Sequence, residues 1–193
     1  RLLAGNLAGD PHRRELPVYV PRLEREAARV PVVFLLIGFT GNGKEYLDDH
    51  PWRRGVVLEY DAALRAAKLP PAILVLPNAF TRYGGSQYVD SAYLGPYASH
   101  VAEELTAFVE TRAPALSGRR GVIGKSSGGV GALHLAMRHP GAFVAAASIS
   151  GDAGFEGCHA PAFWELARTL VAYDGDARRF LDGLGGRRRP ALH

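Results

Sequence analysis

Short apolar runs that alternate with longer amphipathic stretches predict an α/β protein, a mostly parallel sheet joined by crossover helices. Three observations carry this. Residues 32–37 are Val, Val, Phe, Leu, Leu and Ile without a polar break, the pattern of a strand buried on both faces. Comparable apolar runs recur at 72–76 and 143–149. Between the last two, Val101, Leu105, Phe108 and Val109 fall at i, i+4, i+7 and i+8, one face of a helix.

Taken in order, residues 17–20 form a short strand that Pro21 ends. The 32–37 strand runs into a glycine-rich loop, 38–43. Residues 52–68 are helical by composition, and the 72–76 strand stops at Pro77-Asn78. Residues 79–96 hold Gly84-Gly85 and several tyrosines but no period, so they read as a long ordered loop of the kind that often carries function. A helix follows at 97–112, a short strand at 121–124, a helix at 127–138 closed by Pro140-Gly141, and a buried strand at 143–149. Residues 163–184 read as one helix that ends at Gly185-Gly186. The whole of 1–193 is expected to be a single domain, since its length suits one core.

Composition excludes several classes. The formal charge is +4, but the basic residues are scattered and only Arg187-Arg188-Arg189 form a run. A nucleic-acid reader needs a concentrated stripe or a known motif, so none is expected. No apolar stretch approaches the ~18 residues of a membrane span. Cys158 is the sole cysteine, so no internal disulfide forms; it is expected to be a small buried hydrophobe, and its isolation suits the cytoplasm. Lysine is confined to positions 44, 68 and 125 while Arg, Ala and Gly abound, the codon bias of a GC-rich bacterial genome. The residues prescribe no oligomeric state.

The chemistry concentrates at Gly124-Lys125-Ser126-Ser127-Gly128, a G-x-S-x-G sequence continued by Gly129. A serine on a sharp turn between strand and helix holds its Oγ above the sheet, and the next backbone N–H points at a developing oxyanion. Flanking glycines keep Cβ atoms out of that crowded turn. The same glycines would also suit a helix start that packs closely or binds an anion. Val122-Ile123 before the motif and the helix with small residues at 129, 131 and 132 after it favour the catalytic reading, with Ser126 as nucleophile.

With these residues the chain resembles the esterase family that includes esterase D (S-formylglutathione hydrolase) and the mycolyl transferases. The resemblance runs through residues 34–41, Leu76-Pro77-Asn78, Arg82-Tyr83-Gly84-Gly85-Ser86, Ala102-Glu103-Glu104-Leu105 and Ser150-Gly151-Asp152, from about Leu16 to Trp164. It implies an α/β-hydrolase fold and an oxyanion hole built from the backbone N–H groups of Phe39 and Ser127. Many relatives carry a polar residue or histidine where this chain has Ile37, a change that leaves backbone donors in place. It also implies an acid and a histidine on loops after later strands. No strand-like run follows Ile149, so the chain is expected to be the nucleophile-bearing part of a longer protein. It begins at Arg1 and Met137 is its single methionine, so it is expected to be a fragment, a processed form or a trimmed form.

Gly38-Phe39-Thr40-Gly41-Asn42-Gly43-Lys44 also matches the opening of a phosphate-binding loop, G-x-x-x-x-G-K. The next residue is Glu45 where Ser or Thr must hold Mg²⁺, so nucleotide binding is not expected and Lys44 reads as a solvated loop residue. Among the histidines, His134 and His139 are read as packing or surface residues; His100 lies on the preceding helix, His12 and His50 belong to the early segments, His159 follows too soon to sit beyond a further strand, and His193 is the last residue, where a chain tends to fray. Asp152, at a strand end after the serine, is permitted by chain order as the acid and is expected to line the site, as are Arg82 and Tyr83 from the long loop. No metal site and no cofactor is expected. The expected activity is hydrolysis of a small-molecule carboxylic ester through an acyl-enzyme. Acyl transfer on the same fold and a non-catalytic hydrolase-like binding module remain the alternatives.

Overall fold

A computed structural model of the chain describes residues 1–22, 30–49, 52, 54–112 and 116–185. His50, His193 and the arginine run 187–189 lie outside the described residues, as does the Gly186 end of the expected last helix. Two compact units result, Arg1–Gly151 and Asp152–His193.

The first unit is built on a sheet of five strands: β1 (Val18–Tyr19), β2 (Val30–Leu36), β3 (Ile73–Val75), β8 (Leu116–Lys125) and β9 (Ala145–Ile149). Two small hairpins, β4 (Phe80–Thr81) with β5 (Gly84–Gly85) and β6 (Asp90–Ser91) with β7 (Gly95–Pro96), occupy the long connection that lacks sequence period. The sheet order is β1-β3-β2-β8-β9. β2 runs parallel to both β3 and β8, β8 runs parallel to β9, and β1 alone is antiparallel. Pro31 sits where the β2–β8 register shifts, between Val30 and Val32; a proline has no N–H to give the ladder, so the irregularity falls there.

The helices are α1 (Val56–Arg65), α2 (Tyr97–Ser99), α3 (Thr106–Arg112) and α4 (Ser127–Arg138). A π-helical segment, His100–Leu105, joins α2 to α3, so the expected helix over 97–112 is continuous but carries a wide turn. The Thr106 hydroxyl donates to the Ala102 carbonyl at 2.6 Å inside it.

Alternation along β2 explains how the layers stack. Val30, Val32, Phe34 and Leu36 are fully buried, together with Ile73 and Val75, Val122, and Val101, Val109, Ala132 and Leu135 of the helices. Phe34 meets Phe143 edge-to-face at 5.4 Å. Burying each such side chain contributes about 1.5–3 kcal/mol. The opposite face packs Leu74 and Leu76 on Val57 of α1, with Val33 and Leu35 only half-buried. The expectation that the 32–37 run is buried on both faces is thus corrected: one face is closed and the other partly covered.

A second correction concerns β9. All five of its residues are exposed, although 143–149 reads as a buried strand. Only Phe143, just ahead of it, reaches the core. Among the described residues β9 has one sheet neighbour, β8, and its run of alanines supplies little area with which to cover itself.

In the second unit α5 (Phe155–Leu170) is followed by a 3-10 turn, Val171–Tyr173, and by α6 (Ala177–Gly185). The single helix expected over 163–184 is therefore broken. Asp174 adopts φ 55° and Gly175 φ 77°, left-handed conformations that end a helix. Cys158 on α5 is exposed rather than buried. Trp52 in the first unit and Trp164 in the second, the chain's only tryptophans, are 93% and 74% exposed. No helix among the described residues is long and apolar enough to cross a membrane.

Candidate active site

Strand β8 delivers Gly124 and Lys125 to the carboxyl end of the sheet, and α4 starts two residues later. Between them Ser126 takes φ 56° and ψ −126°, a region that residues bearing a Cβ rarely occupy. Such a conformation costs about 1–3 kcal/mol and persists only when its surroundings enforce it. They do so here. The Ser126 N–H donates to the Ile149 carbonyl at 3.0 Å, and the Ser126 carbonyl accepts from Gly129 at 2.8 Å and from Val130 at 3.2 Å.

The glycines of the motif each meet another chain segment. A Cβ at Gly124 would lie 2.0 Å from the Gly128 carbonyl oxygen, and one at Gly128 would lie 2.3 Å from that of Leu36. The end of α4 is thereby pressed against the end of β2. From β2 the chain enters the 38–41 loop, and Gly38 stands beside the serine: a Cβ there would be 3.6 Å from Ser126 Cβ and 4.0 Å from its Oγ.

Three successive features fix this loop from behind. The Tyr46 hydroxyl donates to the Leu36 carbonyl at 3.0 Å, the Tyr88 hydroxyl donates to that of Ile37 at 3.0 Å, and the Gly85 N–H donates to that of Phe39 at 2.6 Å. Gly84 and Gly85 lie flat on Phe39, since a Cβ on Gly84 would meet its ring at 2.6 Å. The backbone N–H groups of Phe39 and Ser127 have no acceptor among the described residues.

Above Ser126 opens a cleft of about 610 Å³. Its apolar lining includes Leu35, Ile37, Phe39, Val56, Ile123 and Ile149, and Thr40, Glu45 and Lys125 add polar groups. Glu45 also closes a reciprocal cap with Asn42, accepting from the Asn42 N–H at 2.9 Å. Lys44 pairs with Glu15 at the surface, so the residues that imitate a phosphate loop are occupied otherwise.

Arg82 and Tyr83 lie outside the cleft lining. Arg82 ties the long connection to the N-terminal segment: its N–H donates to Asp10 Oδ1 at 2.8 Å and its guanidinium to the Ala8 carbonyl at 3.1 Å. The Tyr83 hydroxyl is 3.3 Å from that of Tyr93. Asp152 belongs to the second unit, where its Oδ2 is 4.0 Å from His159 Nε2. The other histidines are placed elsewhere. His100 is buried with Nδ1 2.7 Å from Glu104, His139 is 3.8 Å from Glu103, and neither they nor His134 line the cleft. Among the described residues no side chain hydrogen-bonds Ser126 Oγ, and no group of three His, Cys, Asp or Glu is placed to hold a metal ion.

A mostly parallel sheet with a strained serine at a strand–helix turn and a glycine loop beside it is the architecture of an α/β-hydrolase. Among solved structures the chain is similar to a ferulic acid esterase, at 23% identity with a TM-score of 0.57, over 70% of this chain and 53% of the other. It is similar to the S-formylglutathione hydrolase of Agrobacterium tumefaciens at 24% identity and TM-score 0.50, over 68% and 50%. It is also similar to a fluorophosphonate-binding serine hydrolase of Staphylococcus aureus at 21% identity and TM-score 0.53, over 70% and 50%. At such identities the likeness establishes the fold, and the chain spans about half the length of these structures. No curated protein matches the sequence. The family model described as "Putative esterase" matches residues 11–174, and the chain belongs to that family.

The sequence did not single out Tyr46 or Tyr88. Their hydroxyls reach carbonyls 10 and 51 residues away, and no local spacing marks such a contact.

Proposed function

We propose that this chain carries the nucleophile and oxyanion hole of a serine-dependent carboxylic ester hydrolase. Ser126 Oγ attacks the ester carbonyl, the carbonyl oxygen becomes an oxyanion, and the N–H groups of Phe39 and Ser127 receive it. Collapse expels the alcohol and leaves an acyl-serine, which water then cleaves to the acid. One preorganised donor of this kind contributes about 3–4 kcal/mol to the transition state. A general base must take the serine proton, and an acid must orient that base. The largely apolar cleft favours a small-molecule ester whose acyl or alcohol group is hydrophobic.

The observation that carries this reading is the backbone of Ser126. Its φ of 56° is maintained by three hydrogen bonds and lifts Oγ beside Gly38 at the mouth of the cleft. The test is fluorophosphonate labelling of the full-length protein, with Ser126→Ala alongside. Labelling of the wild type alone identifies Ser126 as an activated nucleophile. A folded wild type that stays unlabelled sinks the hydrolase reading in favour of a non-catalytic module, and release of an ester rather than an acid from a labelling-competent enzyme assigns acyl transfer.

A further inference from the structure

We propose that Tyr88 is a positioning residue, a strut between the nucleophile helix and the loop that supplies the Phe39 N–H; this rests on the esterase reading above. Tyr88 is not among the residues that line the cleft. Its ring is almost wholly buried and lies against Gly131, where a Cβ would stand 2.5 Å from the ring. Its hydroxyl, at the far end of the ring, donates to the Ile37 carbonyl at 3.0 Å. One rigid side chain therefore spans from α4, which begins at the nucleophile, to the peptide that precedes Gly38 and Phe39. A peptide plane whose oxygen is held on one side turns its remaining groups to the other. Holding Ile37 in this way sets the direction of the loop that faces Ser126.

The strut is held at unusual expense. Gln87 and Tyr88 are consecutive residues with φ 56° and 54°, both in the left-handed region that side chains disfavour. In the turn that enforces this Ser86 and Tyr88 are buried and Gln87 half-buried: the Tyr88 N–H is 3.2 Å from Ser86 Oγ, and the Ser86 N–H donates to the Ala79 carbonyl at 3.1 Å. Strain kept at a buried turn, next to a candidate site, matches the general pattern of backbone outliers that serve function. Burial, with a smaller contribution from Tyr46, pushes the Tyr88 phenol well above its usual value, so the hydroxyl stays a donor at every physiological pH.

The decisive variant is Tyr88→Phe in the full-length protein, which deletes one oxygen and keeps the ring. Two readouts are taken: steady-state kinetics on an aryl ester, and peptide-resolved amide hydrogen exchange over residues 37–41. The strut predicts kcat lowered about tenfold with KM within about twofold, the loss of one hydrogen bond expressed at the transition state. It also predicts faster exchange over 37–41, with α3 and β3 unchanged. Gly131→Ala pushes the same ring from the helix side and should give the same pair of changes. Exchange over 37–41 at the wild-type rate in Tyr88→Phe overturns the proposal whatever the kinetics. So does exchange that rises across the whole sheet, which would make Tyr88 an ordinary core residue. If the wild type neither hydrolyses nor labels while Tyr88→Phe still loosens 37–41, the esterase reading fails and the strut survives it.

Discussion

Substituting Gly128 by alanine should disrupt both the fold and the site, and the size of the effect follows from distances. A Cβ at Gly128 would sit 2.3 Å from the Leu36 carbonyl oxygen, 2.6 Å from the Leu36 carbonyl carbon and 2.7 Å from the Ile37 oxygen. All three are backbone atoms, so no side chain can swing aside. Moving from 2.3 Å to an ordinary 3.4 Å contact requires 1.1 Å of separation between α4 and the end of β2. Overpacking of this sort costs about 1–3 kcal/mol, and rigid backbone on both sides puts Gly128→Ala near 3 kcal/mol. With a urea dependence of about 2 kcal/mol per molar, the midpoint falls by about 1.5 M. Circular dichroism across a urea series measures it, and Gly141→Ala, which has open space around the new methyl, is the control. The same displacement moves the 38–41 loop beside Ser126 by about 1 Å, which on the proposed mechanism should slow fluorophosphonate labelling about a hundredfold. A midpoint within about 0.3 M of wild type would refute the claim that these two backbones are in rigid contact.

Two further outcomes follow from the same structure. Ser126→Gly removes the Cβ that makes φ 56° unfavourable; relief of about 1–3 kcal/mol, less the 0.5–1 kcal/mol that glycine adds to the freedom of the unfolded chain, should raise stability while abolishing labelling. A variant less stable than wild type by thermal melting would show that the elbow is not strained. Burial holds His100 below the usual imidazole range, outweighing its bond to Glu104, with Arg14 acting in the same direction as burial. The folded state then binds fewer protons than the unfolded one as pH falls below about 6.5, so stability should drop with acidification from pH 7 to 5 and be fully present above that range. His100→Gln should flatten this part of the profile, and urea midpoints that show equal slopes for both proteins would remove His100 as the cause.

Sequence reasoning located the elements whose signals are local. The run 32–37 became β2, the strand before the motif became β8, and the helix expected over 127–138 became α4 with the same ends. The sharp turn at Ser126 was legible because G-x-S-x-G is a backbone requirement written in glycines, and Gly124 and Gly128 do meet backbone at contact distance. What was not legible depends on distant partners. β9 carries an apolar pattern, yet burial is a property of what packs on a strand, and its five residues are exposed. The break in the last helix did have a local mark, the Asp174-Gly175 dipeptide, which tolerates left-handed backbone and was outweighed by the helical composition around it. Arg82 and Tyr83 were assigned to the site by their loop; Arg82 bonds to Asp10 and Ala8, the Tyr83 hydroxyl approaches that of Tyr93, and none of these partners is near in sequence to the 38–41 loop. Tyr88 escaped notice for the complementary reason, since its partner Ile37 is 51 residues away.

The placement of the aromatic residues decides which spectroscopic signals can follow this protein. Both indoles are in water in the native state, so their emission is already that of a solvated ring and will shift little as the core melts. The phenols are the useful chromophores. Tyr88 and Tyr97 are buried, and Tyr88 touches the very loop that stands beside Ser126. Tyrosine absorbance in a difference spectrum therefore reports the buried core, and the part of the signal that Tyr88→Phe removes reports the loop beside Ser126, whereas indole fluorescence stays nearly unchanged in local events and in core melting alike.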